Sequence, residues 1–485
     1  MDAYLLAVVI YVLFLIGVGI YKSRSVKTQD DFMVAGRRTS TIFLVGTLVS
    51  TWIGTGSLFG GAGLAFRMGF SQLWMSAGAW VGIIIIYFLA HRVRRISEYT
   101  VSDILEKRYN ATARLLGTVT IIIAYLTIAG YQFRAGGRLL YILLGIDPIV
   151  GGAIACGVIV TFAVVAGMVS IMSIDIFNAL MKTLGLIVAL PLIYFAVGGA
   201  QQVAMLPADR FEIFGQNDWV WAMGVFFPTF FLLLGESSMY QKFFSAKDER
   251  SARRAVIGMV IGVVVLETLL CVLAVVGSSK YFTLAPFAHA DGTLDKATTE
   301  TIILQLARFD LPLIAGMVLL CAAVAMMIST ATSFLMIPST NVARDIYQRF
   351  INPQVSQSTI VKFQRFTIVI LGIVAYVVAN FFKSILDMAF TAYSMVGAGI
   401  TPVLLAAFLW RRVTVQGGVA SMIAGLGVPF VITVANFILH EPLLETDYII
   451  LPSAAASIIC LIVVSLATAP SPEEKWKPFA QNKGA

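Results

Sequence analysis

The residues of this chain whose types and spacing could do chemistry are a glycine-rich stretch from Gly46 to Gly63, an adjacent Ser329–Thr330 pair and a carboxylate at Asp175. The stretch reads GTLVSTWIGTGSLFGGAG, six glycines among hydroxyls within an apolar segment of membrane length. Lipid cannot satisfy a loose N–H or C=O, so broken backbone survives in a bilayer only where it lines a protein cavity. A glycine-interrupted segment of this kind points to a transporter's midplane binding site. Ser329 and Thr330, in MMISTATS, offer hydroxyl oxygens, hard donors that suit a sodium ion. Neighbours on a helix cannot point along one radius, so the pair would flank an ion only if opened backbone supplied carbonyls opposite. Close helix packing is the competing use of such residues. Asp175, in SIMSIDIFNALMKT, is a membrane-embedded acid and on that ground a functional candidate. As an alternative it is a helix N-terminal acid beside a Ser173 cap. Lys182 lies seven residues further on, roughly on the same face. Arg134 and Arg138 sit one turn apart; Arg138 can snorkel, and Arg134 either attracts an anionic solute or binds carbonyls. His91, His289 and His440 are far apart, without metal-ligand spacing, and no nucleophile elbow or phosphate loop occurs. Enzyme chemistry therefore has little to stand on.

The elements that must position these residues are membrane helices. The 485-residue chain is 59% hydrophobic and 12% charged, against about 25% charged in soluble domains. Mean hydropathy is +0.89. Apolar runs predict spans near 3–21, 42–66, 70–91, 115–144, 149–168, 174–198, 219–240, 254–277, 313–336, 364–382, 386–410, 416–438 and 446–468. Thirteen spans put the termini on opposite sides. With the N-terminus outside, inner segments hold 25 of the 34 basic residues and outer loops six, the bias that sets topology. The net charge of +8 is thus a topology signal and does not call for nucleic acid. The expected setting is the plasma (inner) membrane, multi-pass, with residues 1–470 as one transmembrane domain. Residues 471–485 form a polar, mobile cytoplasmic tail. Cys156, Cys271, Cys321 and Cys460 fall in apolar runs and read as free thiols. Met-Asp followed directly by an apolar run reads as a retained first helix, not a cleaved signal. In the outer loop 278–312, TTETIILQLARF reads as a short amphipathic surface helix. Five spans after the glycine-rich one, the helix near 219–240 carries Pro228-Thr229 and ends LLLGESSMYQKF, a second interrupted helix that hints at an inverted repeat.

Seven motifs, in order, resemble the solute:sodium symporters, the relatives of proline permease, pantothenate permease and the sodium/galactose transporters. They are DFMVAGRR, VSTWIGTGSLFGGAG, QFRAGGRLLYILLGI, MSIDIFNALMKT, GESSMYQKFFSAKD, MMISTATSFLMIPSTNVARDIY and GAGITPVLLAAFLWRRVTVQGG. The resemblance implies an all-α polytopic protein of about 13 transmembrane helices built on LeuT-like inverted five-helix repeats, about 42–198 and 219–410. It implies Na+ as the coupling ion, held by carbonyls of Gly46, Val49 and Met326 and the hydroxyls of Ser329 and Thr330, with Asp175 at a possible second cation site. It places the solute among Ser50, Thr51, Trp52, Thr55, Gln72 and Tyr131. Aliphatic Ile53 and Ile128 stand where the family's sugar transporters carry Gln and Asn, which implies a non-sugar solute such as an amino acid, a monocarboxylate or a quaternary amine. The implied activity is sodium-coupled import by alternating access. Proton coupling through Asp175, or a sensor on the same scaffold, is the alternative.

Overall fold

In the computed structural model, residues 2–24, 28–439 and 442–480 are described, and they are almost entirely helical. Lys27, His440 and the end of the tail beyond Ala480 lie outside the described residues. Twelve helical stretches among them are long and apolar enough to cross a membrane, and Thr41–Trp52 is a shorter apolar helix. The stretch Gly56–Tyr87 contains a reversal at Gly69, whose φ of 67° is open to glycine at little cost. Ser57 and Trp80 both reach the carboxylate of Glu267, so the chain has doubled back between them.

The chain opens with α1 (Ala3–Ser23). The glycine-rich segment follows as α2 (Thr41–Trp52), a wide π turn (Gly56–Gly61) and α3 (Ala62–Met68). After the reversal come α4 (Leu73–Tyr87), α5 (Ala111–Leu144), α6 (Pro148–Val165) and α7 (Met168–Ala196). The second interrupted helix is α8 (Trp219–Gly235) and α9 (Ser237–Ser245), followed by α10 (Glu249–Tyr281). Then come α11 (Leu313–Thr340), α12 (Gln357–Ala379), α13 (Ile385–Gly399), α14 (Thr401–Leu409), α15 (Val415–Ile438) and α16 (Ile450–Ala467). The interior helices are α5, α11 and α13, most of whose residues are buried, whereas α1, α7 and α15 keep a largely exposed apolar face for lipid. In the loop before α11, the amphipathic segment forms a helix at Ile302–Phe309.

Three local expectations change. The break in the second interrupted helix falls at Glu236, not at Pro228, because α8 runs through Pro228 and ends at Gly235. Asp175 is not at a helix start: α7 begins at Met168, and the Ser173 hydroxyl donates back to the Val169 carbonyl instead of capping. The tail forms a helix, α17 (Glu473–Ala480), that folds against the protein, with the Phe479 ring 5.6 Å from Phe408 and Arg411 over Trp476.

Candidate functional site

The site is built on the end of α2. Ile53, at φ −74° and ψ 86°, leaves the helical region, so the helix stops and its last carbonyls lose their intrahelical donors. Buried carbonyls left so need partners, and side chains from other helices supply them. The Lys182 ammonium, on α7, donates to the Ser50 carbonyl at 2.5 Å, the Ile53 carbonyl at 2.9 Å and the Ser50 hydroxyl at 3.0 Å. The Thr330 hydroxyl, on α11, donates to the Thr51 carbonyl at 3.1 Å. Gly54 makes this approach possible: a Cβ there would stand 2.2 Å from the Thr330 Oγ1.

One turn back along α2, a buried polar cluster joins four helices. Asp175 accepts from Thr47 and from Ser329, both at 2.5 Å, and the Ser329 and Ser50 hydroxyls lie 2.9 Å apart. Lys242, on α9, donates to the Thr47 carbonyl at 3.2 Å and to the Thr51 hydroxyl. Glu236, in the break between α8 and α9, turns its carboxylate onto the Ser238 and Met239 N–H groups, each at 3.2 Å, while the Ser237 N–H donates to the Tyr125 hydroxyl at 2.7 Å.

Beside the α2 break lies a narrow cavity, about 30 Å³ in volume, lined among others by Thr51, Trp52, Tyr131, Glu236, Glu267, Phe334 and Tyr393. Glu267, on α10, is 7% exposed. It accepts from the indoles of Trp52 at 3.1 Å and Trp80 at 2.9 Å and from Ser57 at 3.4 Å. Among the described residues no cation pairs with it: it is a buried carboxylate held by neutral donors at the wall of a cavity. The Tyr131 and Tyr393 hydroxyls meet at 3.2 Å across from it, and Gly56 leaves the room that Tyr393 occupies.

Of the residues expected at the site, Ser329, Thr330 and Asp175 come together at α2. Gly46 packs on Ile176 within regular helix, and the Val49 carbonyl accepts from the Ile53 N–H; the open carbonyls are those of Ser50, Thr51 and Ile53. Met326 is buried within the continuous α11, one turn before Thr330. Thr51, Trp52 and Tyr131 line the cavity. Gln72 lines a small adjoining pocket with Glu267. Ser50 points instead to Ser329 and Lys182, and the Thr55 hydroxyl is buried without a partner among the described residues. Arg134 donates to the Ala379 and Lys383 carbonyls, the structural use. Sequence reading passed over Glu267, Glu236 and Lys242. Glu267 had a signal, a lone acid in the apolar run VVVLETLLCV.

Beyond the cavity, two polar layers close the bundle. In one, Arg114 on α5 binds Asp103 at 2.7 Å, Asp345 at 2.5 Å and Glu106, and Arg344 and Arg349 complete the network. In the other, Glu300 accepts from the Ser384 hydroxyl and the Ile385 and Leu386 N–H groups at the start of α13, and Lys296 pairs with Asp387 at 2.6 Å.

Comparison with known proteins agrees with this architecture. The family model for the Sodium:solute symporter family matches residues 32–425. The high-affinity proline transporter PutP of Bacillus subtilis (strain 168) is 29% identical over 94% of this chain and 96% of its own length. The osmoregulated proline transporter OpuE of the same organism is 25% identical, covering 97% and 96%. Among solved structures, a Na+-coupled sialic acid symporter in a substrate-bound outward-open state superposes with a TM-score of 0.80 at 16% identity, over 97% of this chain and 99% of that one. Mhp1, a nucleobase-cation-symport-1 family transporter, gives 0.58 at 11% identity, over 92% and 97%. The fold is thus the LeuT-like one, and the chain belongs to the sodium:solute symporter family, a multi-pass membrane protein that couples movement of a small solute to sodium.

Proposed function

We propose that the solute is a small molecule carrying an ammonium group, an amino acid of the proline class first among them, and that Glu267 receives that ammonium. The observation that carries this reading is the Glu267 carboxylate, buried at the cavity wall with three neutral donors and, among the described residues, no cation. A buried carboxylate costs free energy unless a positive partner joins it. The Trp52, Tyr131, Tyr393 and Phe334 rings beside it suit a cationic group with an apolar body. The proline transporters among the relatives support the same class. A monocarboxylate without an amine would bring like charge to Glu267, and the cavity disfavours it.

Sodium takes the α2 break on its α11 side: the Ser329 and Thr330 hydroxyls, the Thr51 carbonyl and, from the turn before, the Met326 carbonyl, with Asp175 one hydrogen bond away. In ionised form the buried cluster has three carboxylates (Asp175, Glu236, Glu267) and two ammoniums (Lys182, Lys242). One net negative charge remains, which one sodium balances when the solute is zwitterionic. The bias of basic residues supports an outer N-terminus, a cytoplasmic C-terminus and inward transport, with the Arg114 network on the cytoplasmic side. A potential of 100 mV contributes about 2.3 kcal/mol per charge. A tenfold sodium gradient adds about 1.4 kcal/mol. One sodium therefore supports roughly 500-fold accumulation of a zwitterion.

The test is the melting temperature of purified protein in sodium chloride and in potassium chloride across proline, other amino acids, betaines and amine-free carboxylates. Sodium-dependent stabilisation by ammonium solutes is expected. It is lost in Glu267→Gln, which keeps the response to sodium alone. Equal stabilisation by amine-free carboxylates sinks the assignment.

A further inference from the structure

Lys182 is fully buried in a membrane helix, and its three ammonium protons meet three oxygens. Two of those oxygens are carbonyls that the break in α2 strands, and the third is the Ser50 hydroxyl. Hard oxygens converging on one positive centre at a helix C-terminus are what a free monovalent cation would be offered there. The chain fills the seat with its own side chain. The charged groups around it fit a permanent occupant: Asp175 lies on the same helix and Lys242 faces from α9, while α2 and α11 contribute only hydroxyls and carbonyls. We propose that Lys182 is a tethered cation, a positioning residue that holds the Ser50 and Ile53 carbonyls to α7 throughout the transport cycle. The α2 break would then have two cation seats, one toward α7 and one toward α11. Only the α11 seat exchanges with solution. The proposal does not depend on the solute's chemistry or on Glu267.

Removing the side chain should turn the α7 seat into an exchangeable site. In purified full-length Lys182→Ala, ethylammonium chloride should raise the melting temperature saturably, whereas tetramethylammonium, which has no N–H to donate, should not. The same ethylammonium titration should leave the parent protein unmoved. The number of sodium ions linked to folding, read from the slope of stabilisation free energy against the logarithm of sodium concentration, should rise from about 1 in the parent toward 2 in the variant, a change that mere loss of packing cannot produce. No ethylammonium response together with an unchanged sodium slope overturns the proposal. Should the alanine variant not fold, the parent protein decides. Reductive methylation with formaldehyde and dimethylamine–borane, read by peptide mass, should leave Lys182 unmodified with and without sodium while exposed lysines react. Methylation of Lys182 in sodium alone would show that the ion displaces it, and the tethered-cation reading would fall.

Discussion

The two helix breaks solve one physical problem with opposite charges. At Ile53 the chain strands carbonyls, the negative end of a helix, and an ammonium and a hydroxyl answer them. At Glu236 it strands N–H groups, the positive end of α9, and a carboxylate answers two of them. The difference lies in where the answering groups come from. Glu236 caps the helix that it begins, so that break is largely sealed by its own sequence. Lys182 and Thr330 stand on α7 and α11, so the α2 break keeps its shape only while those helices hold their places. A self-capped break can act as a fixed corner. A break completed by its neighbours responds when they shift or when an ion joins them, and the solute cavity lies against that one.

The largest way to break this comparison is at the self-capped corner. Glu236→Ala strands the Ser238 and Met239 N–H groups, a loss of about 1–3 kcal/mol for each buried donor left unsatisfied, and leaves Lys242 with Asp175 as its nearby carboxylate. Glu236→Gln, which keeps an accepting oxygen, should cost less, about 1–2 kcal/mol. Melting of the purified variants measures both, and an alanine variant that melts with its parent would end the self-capped reading. Next comes Gly54→Ala. Its methyl would meet Thr330 at a distance no contact tolerates, and overpacking of this kind costs about 1–3 kcal/mol. The loss should fall mainly on the sodium-bound state, so the melting shift between sodium and potassium shrinks. A uniform drop in both salts would mean that the α2–α11 approach is packing alone.

How far the sequence leads is visible at these two places. The glycines, the hydroxyl pair and Asp175 mark the site because each breaks a rule of lipid-facing helices, and a rule broken inside an apolar run is legible without a structure. The span pattern is legible for the same reason. Where α2 opens is not: six glycines offer several places, and the choice of Ile53 rests on carbonyl partners 129 to 132 residues away on α7 and 279 residues away on α11. Gly46 and Val49, named from the resemblance, lie one to two turns before that opening. Pro228 shows the converse error. A proline inside a membrane helix need not break it when neighbouring helices hold the strained turn, and here Thr229 donates to the Met75 carbonyl across the interface at 2.6 Å.

A smaller effect sharpens the α11 side. Ser329→Ala with Thr330→Ala removes two hydroxyls but no charge, and small side chains still fit between α2 and α11. The sodium concentration for half-maximal stabilisation should rise about tenfold, roughly 1.4 kcal/mol, while melting in potassium changes far less. Unchanged sodium dependence would move the ion away from this pair.

The smallest expected effect tests where α7 begins. Were Ser173 an N-cap with Asp175 favouring the helix dipole, Ser173→Ala would cost about 1 kcal/mol and Asp175 would serve structure alone. The hydroxyl instead returns to the Val169 carbonyl of its own helix, a bond that contributes little to a helix. Ser173→Ala should therefore leave melting within about 0.5 kcal/mol of the parent and sodium dependence unchanged. Asp175→Asn, two residues on, reaches Thr47 and Ser329 and should alter the sodium response. Should the serine variant cost as much as a lost cap, α7 starts later than Met168 and Asp175 belongs to a helix end, leaving Lys182 to hold the α2 break on that side without a carboxylate committed to the site.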